Sequence, residues 1–179
     1  PEEVPATTID RQCGSSQQAL HFGAQGVIAG AYDVVVAAGV EVMTRTPMGA
    51  SVVGGQMGMP FPQSMIDRYA ETGLPPQGIG ADLIATLNGF SRANVDAFAV
   101  ESHRKAAAAY ERGFFDDLVV EFRGLKRDNI LRPDTTVEKL AGLKPVFDRR
   151  YGSVTAGNAS PLTDGGAAVL LMREDVAKA

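Results

Sequence analysis

Residues 8–19 read Thr-Ile-Asp-Arg-Gln-Cys-Gly-Ser-Ser-Gln-Gln-Ala, and this stretch decides the fold. It leads from an extended segment over 4–10 into small and apolar residues that recur at helical spacing over 17–29. Residues 33–39 follow as an almost uninterrupted apolar run, which is typical of a parallel strand covered on both faces. Residues 4–39 therefore predict a βαβ unit.

The only cysteine, Cys13, lies where the extended segment becomes a helix. Helix N-termini carry partial positive charge and free N–H groups, which stabilise a thiolate. The small residues that follow, 14–16, leave room for a substrate. This arrangement is typical of a catalytic nucleophile, although a buried cysteine that packs as a small hydrophobe fits the same position.

Beyond Met43 the sequence predicts a long inserted region and then a return to the core. Residues 44–80 are rich in proline and glycine and predict an irregular excursion. Its methionines, at 48, 57, 59 and 65, are predicted to fill a core, with an acyl tunnel or a subunit contact as alternatives. Further helices are predicted over 80–89, from the N-cap Ser91 to about Gly113, and over 135–141, with strands over 117–123 and 167–172.

The composition excludes several classes of protein. The 179 residues carry 17 Lys and Arg against 21 Asp and Glu, and a formal net charge of −4 argues against nucleic-acid binding. No apolar run reaches the roughly 20 residues of a membrane span. No signal peptide is visible, and no cluster of side chains has metal-ligand spacing. One cysteine indicates a reducing compartment, so a cytoplasmic protein is expected. The lack of metal-ligand spacing predicts that no metal is bound.

A cysteine protease of the papain type is disfavoured. Its histidine should follow the cysteine by roughly 130–150 residues. The two histidines here are His21 and His103. His21 lies about two helical turns past Cys13 and is predicted to be a packed core histidine, whereas His103 is predicted to lie on a solvated helix face.

Four motifs, in order, resemble the thiolase family of acetyl-CoA acyltransferases. Residues 8–19 resemble its acyl-enzyme cysteine motif, 38–45 its Gly-Gly-x-Glu-Ser-Met-Ser segment, and 91–107 the helix of its loop domain. Residues 154–160 and 164–168 resemble its return into the N-terminal domain. The resemblance implies an α/β fold, in which a partial thiolase-like layered α/β/α core carries an inserted mixed α+β loop domain. It also implies the domain bounds: 1–43 for the core segment with the nucleophile, 44–150 for the loop domain and 151–179 for the return to the core.

The resemblance implies an acyl-CoA C-acyltransferase that forms or cleaves 3-oxoacyl-CoA through an acyl-cysteine intermediate. Carried over by position, Cys13 is the nucleophile. Ala156, Gly157 and Ser160 line the pantetheine arm of coenzyme A, and Phe147 stacks near its adenine. Coenzyme A and acyl-CoA are implied as substrates, no cofactor is implied to be bound permanently, and the complete protein is expected to be a homodimer or homotetramer.

The chain departs from the family's pattern at several points. The family's general-base histidine and second cysteine belong to a C-terminal domain, and this sequence has neither a Cys-x-Gly-Gly-Gly motif nor a histidine after His103. Residues 1–179 alone are therefore not expected to turn over. Residues 76–78 read Pro-Gln-Gly where many thiolases have His-Met-Gly, and Pro161 replaces the usual glycine. The alternatives are a non-catalytic CoA-binding or structural fragment of this fold and, less favoured, a ketosynthase, which lacks the long insertion.

Residues 123–150 are locally basic in an acidic chain. They hold eight basic side chains against four acidic ones, which leaves a local excess of four positive charges. Such a stretch is predicted to hold the phosphates of coenzyme A, or else to form a solvated, ion-paired surface.

Overall fold

The computed structural model describes residues 2–56 and 58–179. Its contacts divide the chain into two compact units. The first joins the segment up to Gly58 with Leu162–Ala179, and the second is Met59–Pro161. The domain boundaries at 43/44 and 150/151 stay a prediction.

The first unit is built on helix α1 (Ser15–Ile28) and the strands β1 (Val34–Val42) and β2 (Asp164–Met172). The two strands pair antiparallel along their whole length, from Val34 opposite Met172 to Val42 opposite Asp164. Helix α1 packs on one face through its glycine at position 23. A Cβ there would lie 3.2 Å from Leu171 Cδ1 and 3.3 Å from Val35 Cγ1, so a larger residue would push the helix away from the sheet. The short helix α6 (Glu174–Lys178) follows β2.

The predicted βαβ unit is wrong in two respects. Residues 4–10 form no strand, and β1 pairs antiparallel with β2 rather than parallel with an earlier strand. The apolar run correctly predicts the strand, because β-branched residues favour extended structure. The same run does not indicate whether the neighbouring strand is parallel or antiparallel. Apolar side chains indicate that a strand is buried, but they do not indicate which strand it pairs with.

The sheet is apolar on both faces, and in the described residues only the α1 face is covered. Val36 lies opposite Leu170 on the other face, which also carries Val40, a residue that is 79% exposed. The prediction of a strand covered on both faces is therefore confirmed only for the α1 side. His21 is exposed as well, because it lies on the side of α1 that turns away from the sheet, so the predicted core histidine is wrong.

The second unit is mainly helical. It contains α2 (Gln63–Arg68), α3 (Gln77–Leu87), α4 (Arg92–Glu111) and α5 (Val137–Ala141). The predicted cap of α4 is confirmed: Ser91 Oγ accepts from the Asn94 N–H at 3.2 Å, and Asn94 Oδ1 accepts from the Ser91 N–H at 2.9 Å. This reciprocal pair satisfies N–H groups that the first turn of a helix leaves free. None of the helices in residues 2–56 and 58–179 is long and apolar enough to cross a membrane.

Two other local predictions are wrong. The strand expected over 117–123 is replaced by turns and by one tight hairpin, in which Phe122 and Leu125 exchange two backbone hydrogen bonds of 3.0 Å. Gly124 has a φ of +84°, and this left-handed residue ends the extended run before a strand can form. The excursion over 44–80 contains a 3₁₀ helix (Ala50–Gly55) as well as α2.

The methionines of the excursion do not fill a core as predicted. Met48 and Met59 are largely exposed, and Met65 is half-buried. Met57 lies outside the described residues. The apolar side chains Val53, Phe61 and Ile66 of the same excursion are exposed as well, so its described part forms no packed core that the methionines could fill.

Candidate active site

Cys13 lies in a 3₁₀ turn (Gln12–Gly14) directly before α1, and its thiol is free and exposed. The preceding Gln12 has a φ of +46°, a left-handed conformation that is strained for a residue with a side chain. Ser15 holds this turn: its Oγ donates to the Gln12 carbonyl at 2.8 Å and accepts from the Arg11 N–H at 2.9 Å. The strained turn thus directs Cys13 outward at the start of a helix, as the sequence predicts.

A cavity of about 990 Å³ opens beside Cys13 within the first unit. Small residues keep it open, since its lining includes Ala38 and Gly39 of β1 and Gly166 and Ala167 of β2, with Gly39 directly opposite Ala167. Gly39 has a second role, because a Cβ at this position would overlap Ser16 Oγ at the start of α1. Of the described residues that line the cavity, none is a histidine. The lining comprises residues 8–10, 12, 13, 15, 16, 19, 38–41, 43, 163 and 165–167.

The strand ends beside this cavity are held by Asp164. Its two carboxylate oxygens accept from the Thr44 hydroxyl at 2.5 Å and from the Thr44 N–H at 3.0 Å. These two hydrogen bonds hold the pKa of Asp164 below its ordinary value. Met43 and Thr163, which line the cavity, are the chain neighbours of this pair and are bridged by a 3.4 Å contact from the Thr163 N–H to Met43 Sδ. The clamp therefore fixes one rim of the cavity.

The second group of predicted site residues lies in the other unit, on segments that Asp82 of α3 holds in place. One oxygen of this buried carboxylate accepts from the N–H groups of Ser153 at 2.7 Å and Val154 at 2.9 Å, and from the Ser153 hydroxyl at 3.1 Å. The other accepts from the Asp148 N–H at 3.3 Å. Asp82 thus fastens both the 148 and the 153–154 segments to α3.

The protonation of Asp82 is coupled to this contact. Burial raises the pKa of the carboxyl, but the hydrogen bonds from Val154, Ser153 and Asp148 outweigh burial and bring the pKa below its ordinary value of 3.8. The charged form is therefore the one that holds the segments. Sequence analysis missed Asp82, and its signal was a single acid among the apolar residues of α3.

We expect Asp82→Asn to lower the free energy of unfolding by about 2 kcal/mol at neutral pH, because hydrogen bonds to a charged acceptor are stronger than those to a neutral one. The folded-state pKa lies below the unfolded one, so this contribution is complete well above pH 3.8 and is lost as the pH falls through the folded-state value. The difference in melting temperature between wild type and variant should therefore shrink in acid.

Thermal unfolding followed by circular dichroism across this pH range measures the effect. Asp134→Asn is the matched control, because this carboxylate is exposed and pairs with Lys139 at the surface, where an ion pair contributes little. A difference between wild type and Asp82→Asn that stays constant down to strong acid would contradict the role given to Asp82.

The predicted coenzyme residues are presented differently from their anchored neighbours. Ser153 and Thr155 are buried, whereas Ala156 and Ser160 are exposed. Gly157 packs so closely on α5 and the residues after it that a Cβ there would overlap the side chains of Leu140 and Leu143. The buried residues therefore fix the segment to the rest of the unit, while Ala156 and Ser160 remain exposed to solvent.

Phe147 lies close to this segment in the same unit. The Val146 N–H donates to the Val154 carbonyl at 2.9 Å, which places the two segments side by side. The Phe147 ring is 40% exposed and lies over Gly78 at the start of α3, where a Cβ would overlap the ring. Gly78 belongs to the Pro-Gln-Gly sequence that departs from the family's pattern, and its missing side chain provides the space that Phe147 occupies.

Most of the basic stretch forms local contacts. Lys139 pairs with Asp134 at 2.7 Å, and the guanidinium groups of Arg127 and Arg150 lie over the rings of Tyr110 and Tyr151, at 4.7 and 5.0 Å from the ring centroids. Lys144 and Arg149 differ, since neither makes a hydrogen bond or ion pair with any described residue. Together with Pro145 and Val146 they line a cavity of about 390 Å³.

Comparisons with known proteins agree with the predicted resemblance. The family described as the thiolase N-terminal domain matches residues 1–175. A 3-ketoacyl-CoA thiolase from Aeromonas hydrophila is 40% identical over 189 residues, which cover 100% of this chain and 46% of that protein. The 3-ketoacyl-CoA thiolase of Aliivibrio fischeri is 36% identical over 187 residues, with 99% and 46% covered. The chain thus spans about half the length of the curated relatives it matches.

Solved structures give the same result for the fold. Human mitochondrial 3-ketoacyl-CoA thiolase in complex with CoA matches with a TM-score of 0.79 and 33% sequence identity. The match covers 99% of this chain and 47% of the human chain. The dimeric peroxisomal thiolase of Saccharomyces cerevisiae matches with a TM-score of 0.83 and 33% sequence identity. This match covers 99% of this chain and 46% of the yeast chain. The predicted α/β, thiolase-like fold class is confirmed by these neighbours.

Proposed function

Because this chain belongs to the thiolase N-terminal domain family, we propose that it is the nucleophile-bearing part of an acyl-CoA C-acyltransferase that forms or cleaves 3-oxoacyl-CoA. The observation that carries the proposal is Cys13, a free and exposed thiol on a strained turn at a helix start, beside a cavity of about 990 Å³. A thiol suits this reaction because it is both a good nucleophile and a good leaving group.

In the degradative direction, Cys13 Sγ attacks the 3-oxo carbon of the substrate. The bond between C2 and C3 breaks, the electron pair passes to C2, and protonation of C2 releases acetyl-CoA. The shortened acyl group remains on Cys13 as a thioester. The thiol of a second coenzyme A attacks this thioester, the bond between the acyl carbon and Cys13 Sγ breaks, the thiol proton passes to Cys13, and the product leaves as acyl-CoA. The backbone N–H of Cys13 is proposed to donate to the oxyanion that forms in the addition steps.

Coenzyme A is proposed to bind along the outer side of the second unit. Ala156, Gly157 and Ser160 line its pantetheine arm, and the half-exposed Phe147 ring stacks on its adenine. The support is local: Ala156 and Ser160 are exposed on an anchored segment that runs beside Phe147. The cavity with Lys144 and Arg149 takes the phosphates, because these two cations have no partner among the described residues.

A phosphate site in this cavity predicts that its loss changes the KM for coenzyme A much more than it changes kcat. Reversing both charges, Lys144→Glu with Arg149→Glu, should raise the KM for coenzyme A about tenfold and lower kcat much less, because the pantetheine arm separates the phosphates of coenzyme A from its reacting thiol. The control is Lys105→Glu with Lys178→Glu, which changes the net charge equally at exposed positions outside the 123–150 stretch. Equal KM values for the two double variants at low salt would contradict a phosphate site in this cavity.

The function itself is tested by thiolysis with the intact protein that carries this chain. Purified protein is incubated with acetoacetyl-CoA and coenzyme A, and the formation of acetyl-CoA is followed by chromatography. Production of acetyl-CoA supports the acyltransferase. Binding of coenzyme A without turnover would favour the non-catalytic alternative, and absence of both would contradict the proposal.

Two further features follow from the same proposal. A catalytic thiol that is free and exposed must stay reduced, and we therefore propose that the protein is located in the cytoplasm, which is a reducing compartment. The complete enzyme is proposed to be a homodimer, since the yeast neighbour is described as dimeric, with a homotetramer as the larger possibility. Light scattering of the purified protein distinguishes the two.

A further inference from the structure

A buried polar cluster lies directly beneath the proposed coenzyme segment, and Asn158 is its centre. Asn158 Nδ2 donates to Asp96 Oδ1 at 2.8 Å and to the Ser153 carbonyl at 2.8 Å. Asn158 Oδ1 accepts from the Thr155 N–H at 2.8 Å. Both amide hydrogens and the amide oxygen are therefore used, which permits only one orientation of the side chain.

Asp96 connects Asn158 to the helices of the unit. Its side chain lies on α4 and is completely buried, with Oδ2 at 2.8 Å from Arg92 Nε one turn earlier. The guanidinium of Arg92 also donates to the carbonyls of Leu143, at 3.0 Å, and Leu140. The cluster thus joins the 153–158 segment to α4, to Leu140 of α5 and to Leu143 just after that helix, and the side chains of both leucines pack against Gly157.

This cluster is a costly way to stabilise a fold. Taking an ion pair and an amide out of water costs free energy, and apolar side chains of similar size often stabilise a protein equally well. Arg92 Nε and Asp96 Oδ2 lie 2.8 Å apart as an ion pair, but neither atom makes a hydrogen bond with the described residues. The hydrogen bonds of Asn158, which use both amide hydrogens and the amide oxygen, are what select one backbone conformation. Here that conformation buries Thr155 and leaves Ala156 exposed.

We propose that Asn158 and Asp96 are positioning residues for coenzyme A, because their hydrogen bond holds the 153–158 segment in the one conformation that presents Ala156, Gly157 and Ser160 to the pantetheine arm. The proposal rests on the coenzyme site described under the proposed function. Neither side chain contacts the coenzyme itself. Without the cluster, the segment samples other conformations, and coenzyme A must order it on binding.

Binding of coenzyme A to the intact protein, measured by calorimetry, tests the proposal. Asn158→Ala should raise the Kd about tenfold, the effect of roughly one lost net hydrogen bond. Asn158→Asp should raise it further, because it places a carboxylate oxygen against two acceptors, Asp96 and the Ser153 carbonyl. Adding Asp96→Asn to Asn158→Asp reverses the hydrogen bond between the two side chains and should recover part of the affinity.

Two measurements separate positioning from loss of folding. The rate at which iodoacetamide alkylates Cys13, which belongs to the other unit, should not change in any of these variants. Ala109→Gly is the matched control, since it weakens α4 at a buried position that has no part in the cluster. It should lower the melting temperature and leave the Kd unchanged below the transition.

The outcomes distinguish this proposal from the proposed function. If wild-type protein does not bind coenzyme A, the proposed function fails. If wild type binds and folded Asn158→Ala binds equally well, the positioning role is wrong and the proposed function stands. If Asn158→Ala does not fold, the two remaining variants decide, and a double variant no better than Asn158→Asp alone would overturn the proposal.

Discussion

Cys13→Ser should abolish acyl transfer, with kcat lower by about 10⁴-fold or more, in the range seen when other enzymes lose their nucleophile. A serine hydroxyl is a weak nucleophile at neutral pH. An acyl serine is also an oxygen ester, which coenzyme A cleaves less readily than a thioester. The Kd for coenzyme A should stay close to the wild-type value, since the proposed coenzyme residues belong to the other unit. Steady-state thiolysis and calorimetry on the same preparation give both quantities.

Ser16→Ala is the matched control for this substitution. Ser16 lines the same cavity and lies on the first turn of α1, but its hydroxyl has no place in the proposed reaction. Its turnover should stay within a few-fold of wild type. Measurable thiolysis by Cys13→Ser at more than a trace of the wild-type rate would remove Cys13 from the mechanism.

Residues 1–179 on their own should give no detectable thiolysis. The reaction needs a base for the incoming thiol and an acid for C2, and such groups are typically worth about 10²–10⁴-fold each. His21 lies two helical turns past Cys13, and His103 accepts a hydrogen bond of 3.3 Å from the Arg132 N–H in the other unit. His21 is therefore too far along α1 to reach the thiol, and His103 Nδ1 is already engaged as a hydrogen-bond acceptor.

The assay compares purified 1–179 with and without the C-terminal half of a 3-ketoacyl-CoA thiolase supplied in trans. The short chain alone should be inactive and prone to associate, because Val36, Val40 and Leu170 leave one face of its sheet apolar and uncovered. Activity that appears on mixing, and that a Cys13→Ser chain does not restore, is the expected result. Robust turnover by 1–179 alone would mean that its own residues supply the acid and the base.

Local signals in the sequence predict the helices and the nucleophile. The N-cap Ser91 and the apolar period after it locate α4 closely, and the turn around Cys13 is evident from the residues beside it. Pairing of strands is not local: β2 begins more than 120 residues after β1, and the largely apolar composition of both strands is compatible with either direction.

The anchoring residues were missed for the same reason. Asn158 and Asp96 are 62 residues apart in the chain, and Asp82 and Ser153 are 71 apart. A lone acid on an apolar helix suggests that it has a buried partner, and Asp82 carries this signal. Asp96 does not, because α4 also holds Glu101 and Glu111. Only the folded structure identifies the partner, because the chain between them must first bring the segments together.

Trapping the acyl-enzyme tests the central claim most directly. The intact protein is incubated with acetyl-CoA, denatured in acid to preserve the thioester, digested and mapped by mass spectrometry, with Cys13→Ser treated in parallel. We predict an acetyl group on the peptide that contains Cys13, removed by brief incubation with coenzyme A before denaturation. An unmodified Cys13 peptide under turnover conditions, or an acetyl group found on another residue and equally in Cys13→Ser, would contradict the account.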